Sequence, residues 1–384
     1  MRSPPQPWKL KKKLCLGALF CGILFFMIVM YTMWKSGILS GTPPPAHGVS
    51  RPPGKNRTQP RATPEAVCCN SCGCRTCVAD AGVSEWFDER YERDQQPCLT
   101  VTDKKIDPAS LKWWLGLQQS TEGTIEEVIK KMFQVVSSPK ATHQSGRYQT
   151  CAVVGNSGNL LQFKYGALID SHSVIFRMNR ARTMGYEQHV GKRTTHHFMY
   201  PESAMDLAPS VQLVLLPFKL QDLRWLTSAL STGEVKRTYT KVKEHVKADK
   251  DKVMVVNPSF FKYTYDRWTE HHGRYPSTGM LAIVFALHLC DKMQAWEGSQ
   301  SASVLLESSR VQVSVFGFGA DAQGNWHHYW ENNKYSGAFR KTGVHNADFE
   351  SEVIKRLYAE GKIKLYPRPK QQAPVSQETS GHTG

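Results

Sequence analysis

Cys151-Ala152-Val153-Val154-Gly155-Asn156-Ser157-Gly158-Asn159 is the stretch on which the fold turns. Four apolar residues stop at a run of small polar ones. The apolar part shows no polar alternation and reads as a strand buried on both faces. The glycines and asparagines after it read as a tight turn at its C-terminal end. A second run, Gly273-Arg274-Tyr275-Pro276-Ser277-Thr278-Gly279, opens the apolar stretch Met280 to Leu289 and reads as a turn feeding a helix. Glycine admits close backbone approach, and helix N-termini offer N–H groups. Together the two turns outline an anion-binding crevice.

Working outward, Val174 to Met178, Val211 to Pro217, Val253 to Val256 and Val311 to Phe316 are further short β-rich runs. Trp113 to Leu115 and Ile125 to Val136 read as helices, the latter with apolar residues at helical spacing. This alternation predicts an α/β fold with a mostly parallel sheet flanked by helices. Ligands in such sheets sit beyond the strand C-termini. The Gly155 turn, Asn179 and Gly317-Phe318-Gly319 fall at three of those ends. No G-x-G-x-x-G fingerprint is present, which excludes a standard dinucleotide site.

The chain has 384 residues and a formal charge of +16. An acidic partner is implied: a membrane surface, a phosphorylated ligand or nucleic acid. Nucleic acid is set aside, because Lys and Arg are scattered. The one dense stretch away from the N-terminus, Lys241 to Lys252, alternates with Glu244, Asp249 and Asp251 as a solvated face does. Leu14 to Trp34 carries no formal charge and is long enough to cross a bilayer. Lys9, Lys11, Lys12 and Lys13 precede it, so the positive-inside rule predicts a type II orientation. The chain is expected to divide into a cytoplasmic tail (1–13), a transmembrane signal-anchor (14–34), a lumenal stem (35–71), a catalytic domain (72–368) and a disordered tail (369–384). The stem holds the glycosylation acceptor Asn56-Arg57-Thr58.

Of ten cysteines, Cys15 and Cys21 fall in the predicted span, and the other eight face an oxidising compartment. Cys68, Cys69, Cys72, Cys74 and Cys77 crowd together with two Cys-x-x-Cys spacings. One residue between those pairs is too tight to wrap a tetrahedral zinc ion, so disulfides are preferred. Cys72 and Cys77 are expected among the bridged residues. A bridge from Cys151 to Cys290 would tie the two crevice-forming runs together and stabilise the fold by on the order of 4–5 kcal/mol.

Four groups carry candidate chemistry. Asn156 and Ser157 suit a nucleotide's ribose and phosphate, although a tight turn alone explains them equally well. Ser277, Thr278 and Gly279 suit a phosphate or carboxylate at a helix start; a simple N-cap is the plainer explanation. His328, in Trp326-His327-His328-Tyr329-Trp330-Glu331, can assist a leaving phosphate, or can belong to a packed aromatic corner. His345 can act as a general base, with Glu350 or a backbone carbonyl fixing its tautomer. Two histidine clusters downstream of two ligand-like turns favour catalysis. The one Asp-x-Asp pair, Asp249-Lys250-Asp251, is wedged among lysines and makes a poor cation site, so no metal is expected.

These residues resemble the animal sialyltransferase family. Cys151 through Asn159, with Arg177-Met178-Asn179, resembles its large sialyl motif. Asn257-Pro258 through His272-Gly273 to Gly279 and on to Cys290 resembles the small motif. His328-Tyr329-Trp330-Glu331 and His345-x4-Glu350 resemble the third and very small motifs. All four stand in the family's order. Within the family, Trp86-Phe87-Asp88, Trp113-Trp114, Thr194-Thr195-His196-His197 and Tyr200-Pro201-Glu202-Ser203 are most similar to the β-galactoside α-2,3 enzymes of types one and two.

The resemblance implies a Rossmann-like domain, a variant of the glycosyltransferase-A fold, on a Golgi single-pass type II protein. It implies metal-independent, inverting transfer of sialic acid from CMP-sialic acid to the 3-hydroxyl of galactose in Gal-β1,3-GalNAc, on glycoproteins or glycolipids. His345 would be the base, and His328 would bind the donor phosphate. Asn156, Ser157 and Asn179 would hold the nucleotide. Ser277, Thr278 and Gly279 would hold the phosphate and sialic carboxylate, and Gly319 would line the CMP pocket. Gln118, Tyr239 and Tyr275 would sit near the sugars. A homodimer stays open.

The sequence departs from the family at two places. Tyr148 stands where the relatives have a cysteine, which leaves Cys74 to pair with Cys98 or Cys69, or to stay free. The stretch from Asp291 to Phe316 is longer than the family's, and its extra Gln294 to Arg310 region reads as a surface loop. A sialyltransferase of other acceptor or linkage specificity, and a non-catalytic membrane lectin with the same fold, are the alternatives.

Overall fold

The computed structural model describes residues 82–102, 106–117, 124–138, 150–291, 313–321, 323–331 and 343–367. The predicted membrane span, the stem, Asn56, Cys72, Cys77, Gln118 and most of the 291–316 stretch lie outside these residues. Among the described residues, no helix is long and apolar enough to cross a membrane.

Seven strands form one sheet: β1 (Cys151–Val154), β2 (Val174–Met178), β3 (His196–Met199), β4 (Gln212–Leu215), β5 (Val253–Val255), β6 (Val313–Phe316) and β7 (Lys364–Tyr366). Their order is β5-β4-β3-β2-β1-β6-β7, and every pairing is parallel. The five strands expected from β-rich runs are present. β3 and β7 were not expected. β3 opens on two histidines, and β7 is three residues at a sheet edge.

Among the flanking helices are α1 (Pro108–Leu115), α2 (Ile125–Met132), α3 (Leu220–Ala229), α4 (Thr278–Asp291) and α5 (Ala347–Ala359), of which α4 and α5 reach the site. Asp107 caps α1 and Thr124 caps α2, each accepting a backbone N–H from the first turn. The helical pattern expected through Val136 ends at Met132, where the chain tightens into a turn. α4 is apolar all round, and Met280 through Leu287 are fully buried. Such a helix belongs in a core; it packs against β1, β2 and β6. Cys151, at the start of β1, is bonded to Cys290, near the end of α4 and 139 residues away.

The strand order reverses beside β1. From β1 the chain works outward through β2, β3, β4 and β5, then returns to β6 on the other side. Loops leaving β1 and β6 therefore part in opposite directions and open a crevice at their C-terminal ends. Two glycines make this junction. A Cβ on Gly155 would sit 2.3 Å from the Gly317 carbonyl oxygen, so only glycine fits. Gly317 takes φ of 70°, the left-handed region. The Gly155 N–H donates to Phe316 O at 2.7 Å, and the Ser157 N–H to Gly317 O at 3.1 Å. β6 stays in register with β1, Val153 opposite Val315, so the long 291–316 connection does not displace it.

Candidate active site

The crevice is a cleft of about 550 Å³. Asn156, Ser157, Asn179, Tyr239, Tyr275, Ser277, Thr278, Gly279, Gly319, His328 and His345 all line it. These are all the candidate ligand-binding and catalytic residues except Gln118. They come from seven separate stretches of chain, which the parallel sheet gathers at one edge.

The turn after β1 forms one wall. The Asn156 carboxamide donates to Met178 O at 3.1 Å, and the Asn159 carboxamide donates to Phe318 O at 2.9 Å. The side-chain oxygens of Asn156 and Asn179 are buried with no protein donor. Unmet acceptors cost free energy unless a ligand or water supplies a donor. Asn179 adopts φ of 57°, a conformation asparagine tolerates. Its N–H donates to Phe198 O at 2.8 Å, and its carbonyl accepts from His197 Nε2 at 2.7 Å. Burial holds His197 neutral, with its pKa lowered to about 4.

The segment around His328 docks onto this turn. The Gly158 N–H donates to His327 O at 2.8 Å, and the Tyr329 N–H to Asn156 O at 3.0 Å. His328 stacks flat on Trp330, with ring centroids 4.6 Å apart. Its Nδ1–H donates to Glu331 Oε1 at 2.7 Å. That carboxylate fixes the tautomer.

The opposite wall carries His345. Its Nδ1 lies 2.9 Å from the Tyr275 carbonyl oxygen. A carbonyl only accepts, so the proton is on Nδ1 and the basic lone pair is on Nε2. The Tyr275 ring meets the imidazole edge-on at 5.0 Å. Burial lowers the His345 pKa below the usual histidine value, against the opposing effect of the carbonyl bond. The ring is therefore neutral at neutral pH, as a proton acceptor must be.

Of the two groups that the sequence left open for fixing that tautomer, the carbonyl takes the role. Glu350 turns to Ser277 instead. Its Oε1 accepts the Ser277 N–H at 2.7 Å, and its Oε2 accepts the Ser277 hydroxyl. Ser277 Oγ also accepts the Met280 N–H at 3.1 Å, capping α4. The serine is thus the N-cap that the plainer reading anticipated, clamped by a buried acid from α5. Ser277→Ala is expected to lower stability by about 1–2 kcal/mol, seen as a lower urea midpoint. Burial raises the Glu350 pKa to about 7. A raised folded value means that its stabilising contribution is present below the ordinary carboxyl range and is lost as pH rises through about 7.

Several cleft residues escaped the sequence reading. Arg180 and Lys219 line it, as do Glu202, Trp326 and Trp330 from quoted runs that gave them no site role of their own. Arg180 follows Asn179 directly, and Lys219 follows the C-terminal end of β4; adjacency to a strand end was the available signal. Asp249 and Asp251 do not line the cleft. They precede β5, at the N-terminal edge of the sheet, where Asp249 pairs with Lys252 at 3.6 Å and Asp251 accepts from Ser137. Among the described residues, no group of three or more His, Cys, Asp or Glu could hold a metal ion.

An open parallel sheet with oriented imidazoles in a switch-point cleft is the frame of a group-transfer enzyme. The chain belongs to glycosyltransferase family 29, the sialyltransferases: that family's model matches residues 98–297 and 311–362. The unmatched 298–310 fall within the long connection before β6. The chain is 49% identical over 334 residues to the rat CMP-N-acetylneuraminate-beta-galactosamide-alpha-2,3-sialyltransferase 2, covering 86% of this chain and 88% of the relative. The chicken CMP-N-acetylneuraminate-beta-galactosamide-alpha-2,3-sialyltransferase 1 is 46% identical over 299 residues, 77% of this chain and 82% of that one. A mammalian sialyltransferase crystal structure superposes with a TM-score of 0.67 at 42% identity, over 77% of this chain and 98% of that one. Another was solved in complex with Gal-beta-1-3GalNAc-ortho-nitrophenol, with the same TM-score.

Proposed function

We propose that the chain transfers sialic acid from CMP-sialic acid to the 3-hydroxyl of galactose in Gal-β1,3-GalNAc, with inversion. The observation that carries this is the His345 tautomer, locked by the Tyr275 carbonyl so that Nε2 is the basic atom in the cleft. The galactose O3–H gives its proton to that nitrogen as O3 bonds to the sialic acid anomeric carbon. The bond from that carbon to the phosphate oxygen breaks, and CMP leaves with the electron pair. His328 meets the phosphate. Asn156, Ser157 and Asn179 hold the nucleotide, and the two orphaned asparagine oxygens support this, since they require donors such as ribose hydroxyls. The α4 start at Ser277, Thr278 and Gly279 receives the phosphate and the sialic acid carboxylate. Gly319 borders the CMP. Tyr239 and Tyr275 face the sugars, and Gln118 would join them there.

The donor leaves as a monophosphate, whose charge a helix start and an imidazole can meet without a divalent ion. The catalytic domain (72–368) would stand in the Golgi lumen on the stem and the 14–34 anchor, with Cys72 and Cys77 bridged, Asn56 glycosylated and the tail from 369 free. The test is an assay of the soluble 72–384 fragment with CMP-sialic acid and Gal-β1,3-GalNAc. The expected result is acceptor-dependent CMP release and an α-2,3-linked product, undiminished by EDTA. A different linkage, or activity lost in EDTA and restored by manganese, would overturn the corresponding part. CMP-sialic acid binding without transfer would favour the lectin.

A further inference from the structure

Tyr239 is 62% exposed and rides on a turn spanning 236–242. That turn is held together by its own backbone: the Thr238 N–H donates to Thr240 O and the Val242 N–H to Lys236 O, both at 3.0 Å. Neither bond ties the tip to the cleft. Two side-chain contacts do. Thr238 Oγ1 donates to Glu202 Oε1. Lys219 Nζ lies 5.0 Å from the centre of the Tyr239 ring, within cation–π range.

Lys219 is buried among acids. Its ammonium is 2.8 Å from Asp222 and 3.5 Å from Glu202, and its side chain is 8% exposed. Asp222 in turn accepts the Phe218 N–H at 2.9 Å, which anchors the chain as it leaves β4. The Phe218 ring rests on Tyr275 at 5.0 Å, and Tyr275 touches His345. This cluster therefore stands on the His345 side of the cleft, across from Asn156 and His328. An ammonium neutralised by two carboxylates is poorly placed to bind a further anion. It acts on its neighbours instead.

We propose that Lys219 is a positioning residue for acceptor recognition. With Glu202 it latches the Tyr239 turn against the cleft, so that the phenol and the Glu202 carboxylate meet the hydroxyls of a neutral sugar. The inference rests on the sialyl-transfer reading above. Unlatched, the turn costs conformational entropy on each acceptor encounter, a penalty that falls on acceptor binding and not on the donor.

Steady-state kinetics with CMP-sialic acid and a Gal-β1,3-GalNAc glycoside test this. Lys219→Met is expected to raise the acceptor KM about tenfold, with donor KM within about twofold and kcat within about threefold. Lys219→Arg keeps the cation over the ring and should restore most of the loss. Thr238→Val removes the other, part-buried contact and should raise the acceptor KM by about three- to fivefold with little change in melting temperature. Unchanged acceptor KM in Thr238→Val and Lys219→Met, or donor KM rising in parallel, overturns the latch. Should Lys219→Met fail to fold, Thr238→Val decides alone. Failure of wild type to sialylate the glycoside would instead overturn the parent reading, and would be seen before any variant is compared.

Discussion

His345→Ala is expected to lower kcat by about a thousandfold while CMP binds within about threefold of wild type. The imidazole is the group that the geometry equips to take a proton, and it sits on the wall opposite the nucleotide turn. Single-turnover transfer and CMP titration calorimetry separate the two effects. Wild-type turnover by the variant would remove His345 as base. The pH profile of the wild type carries the same assignment. Burial lowers the His345 pKa from 6.5, so the neutral, active ring persists through neutral pH. Transfer should stay level from about pH 8 down to the ordinary histidine range and decline only below it. Stability shares the sign. A depressed histidine contributes above the unfolded value and loses that contribution as pH falls through the folded one.

The second large effect concerns the covalent tie. Replacing both Cys151 and Cys290 by alanine is expected to destabilise the domain by about 2–5 kcal/mol, with the entropy model placing a loop of this length near the top of that range. The bridge joins the first residue of β1, an interior strand, to the helix that fills the core beneath the crevice. Its loss releases a closed loop of 139 residues in sequence separation in the unfolded chain. Thermal melting should fall by on the order of 10 °C. Reduced wild type should melt with the double variant. Melting that is unaffected by either treatment would show that packing of α4 alone sets the stability.

Strands with a plain physical signature were legible in the sequence. β1, β2 and β6 are short apolar-rich runs buried on both faces, as a parallel sheet demands, and β4 and β5 are nearly so. β3 was not, because His196 and His197 read as polar although burial keeps both neutral in the folded sheet, each with its pKa lowered to about 4. β7 is too short to leave a pattern. The same division holds at the cleft. Turn residues such as Asn156, Asn179 and Gly279 advertise themselves through local backbone needs. The pairing of Ser277 with Glu350 does not, because the two residues stand 73 apart in sequence and meet only when α5 packs against the start of α4. Lys219, Glu202 and Thr238 are silent for the same reason. Each is an ordinary polar residue whose partner is chosen by the fold. The sialyl motifs exposed the individual residues; three-dimensional proximity assigned their neighbours.

The imidazole at 345 leans on a main-chain oxygen, and every amino acid carries one. On the proposed mechanism, position 275 does two separable jobs. Its side chain can be exchanged as the sugar partner changes over evolution, while its peptide group keeps the proton on the near nitrogen, Nδ1, and leaves Nε2 to accept. A lineage could diversify what it decorates without relearning how to deprotonate it.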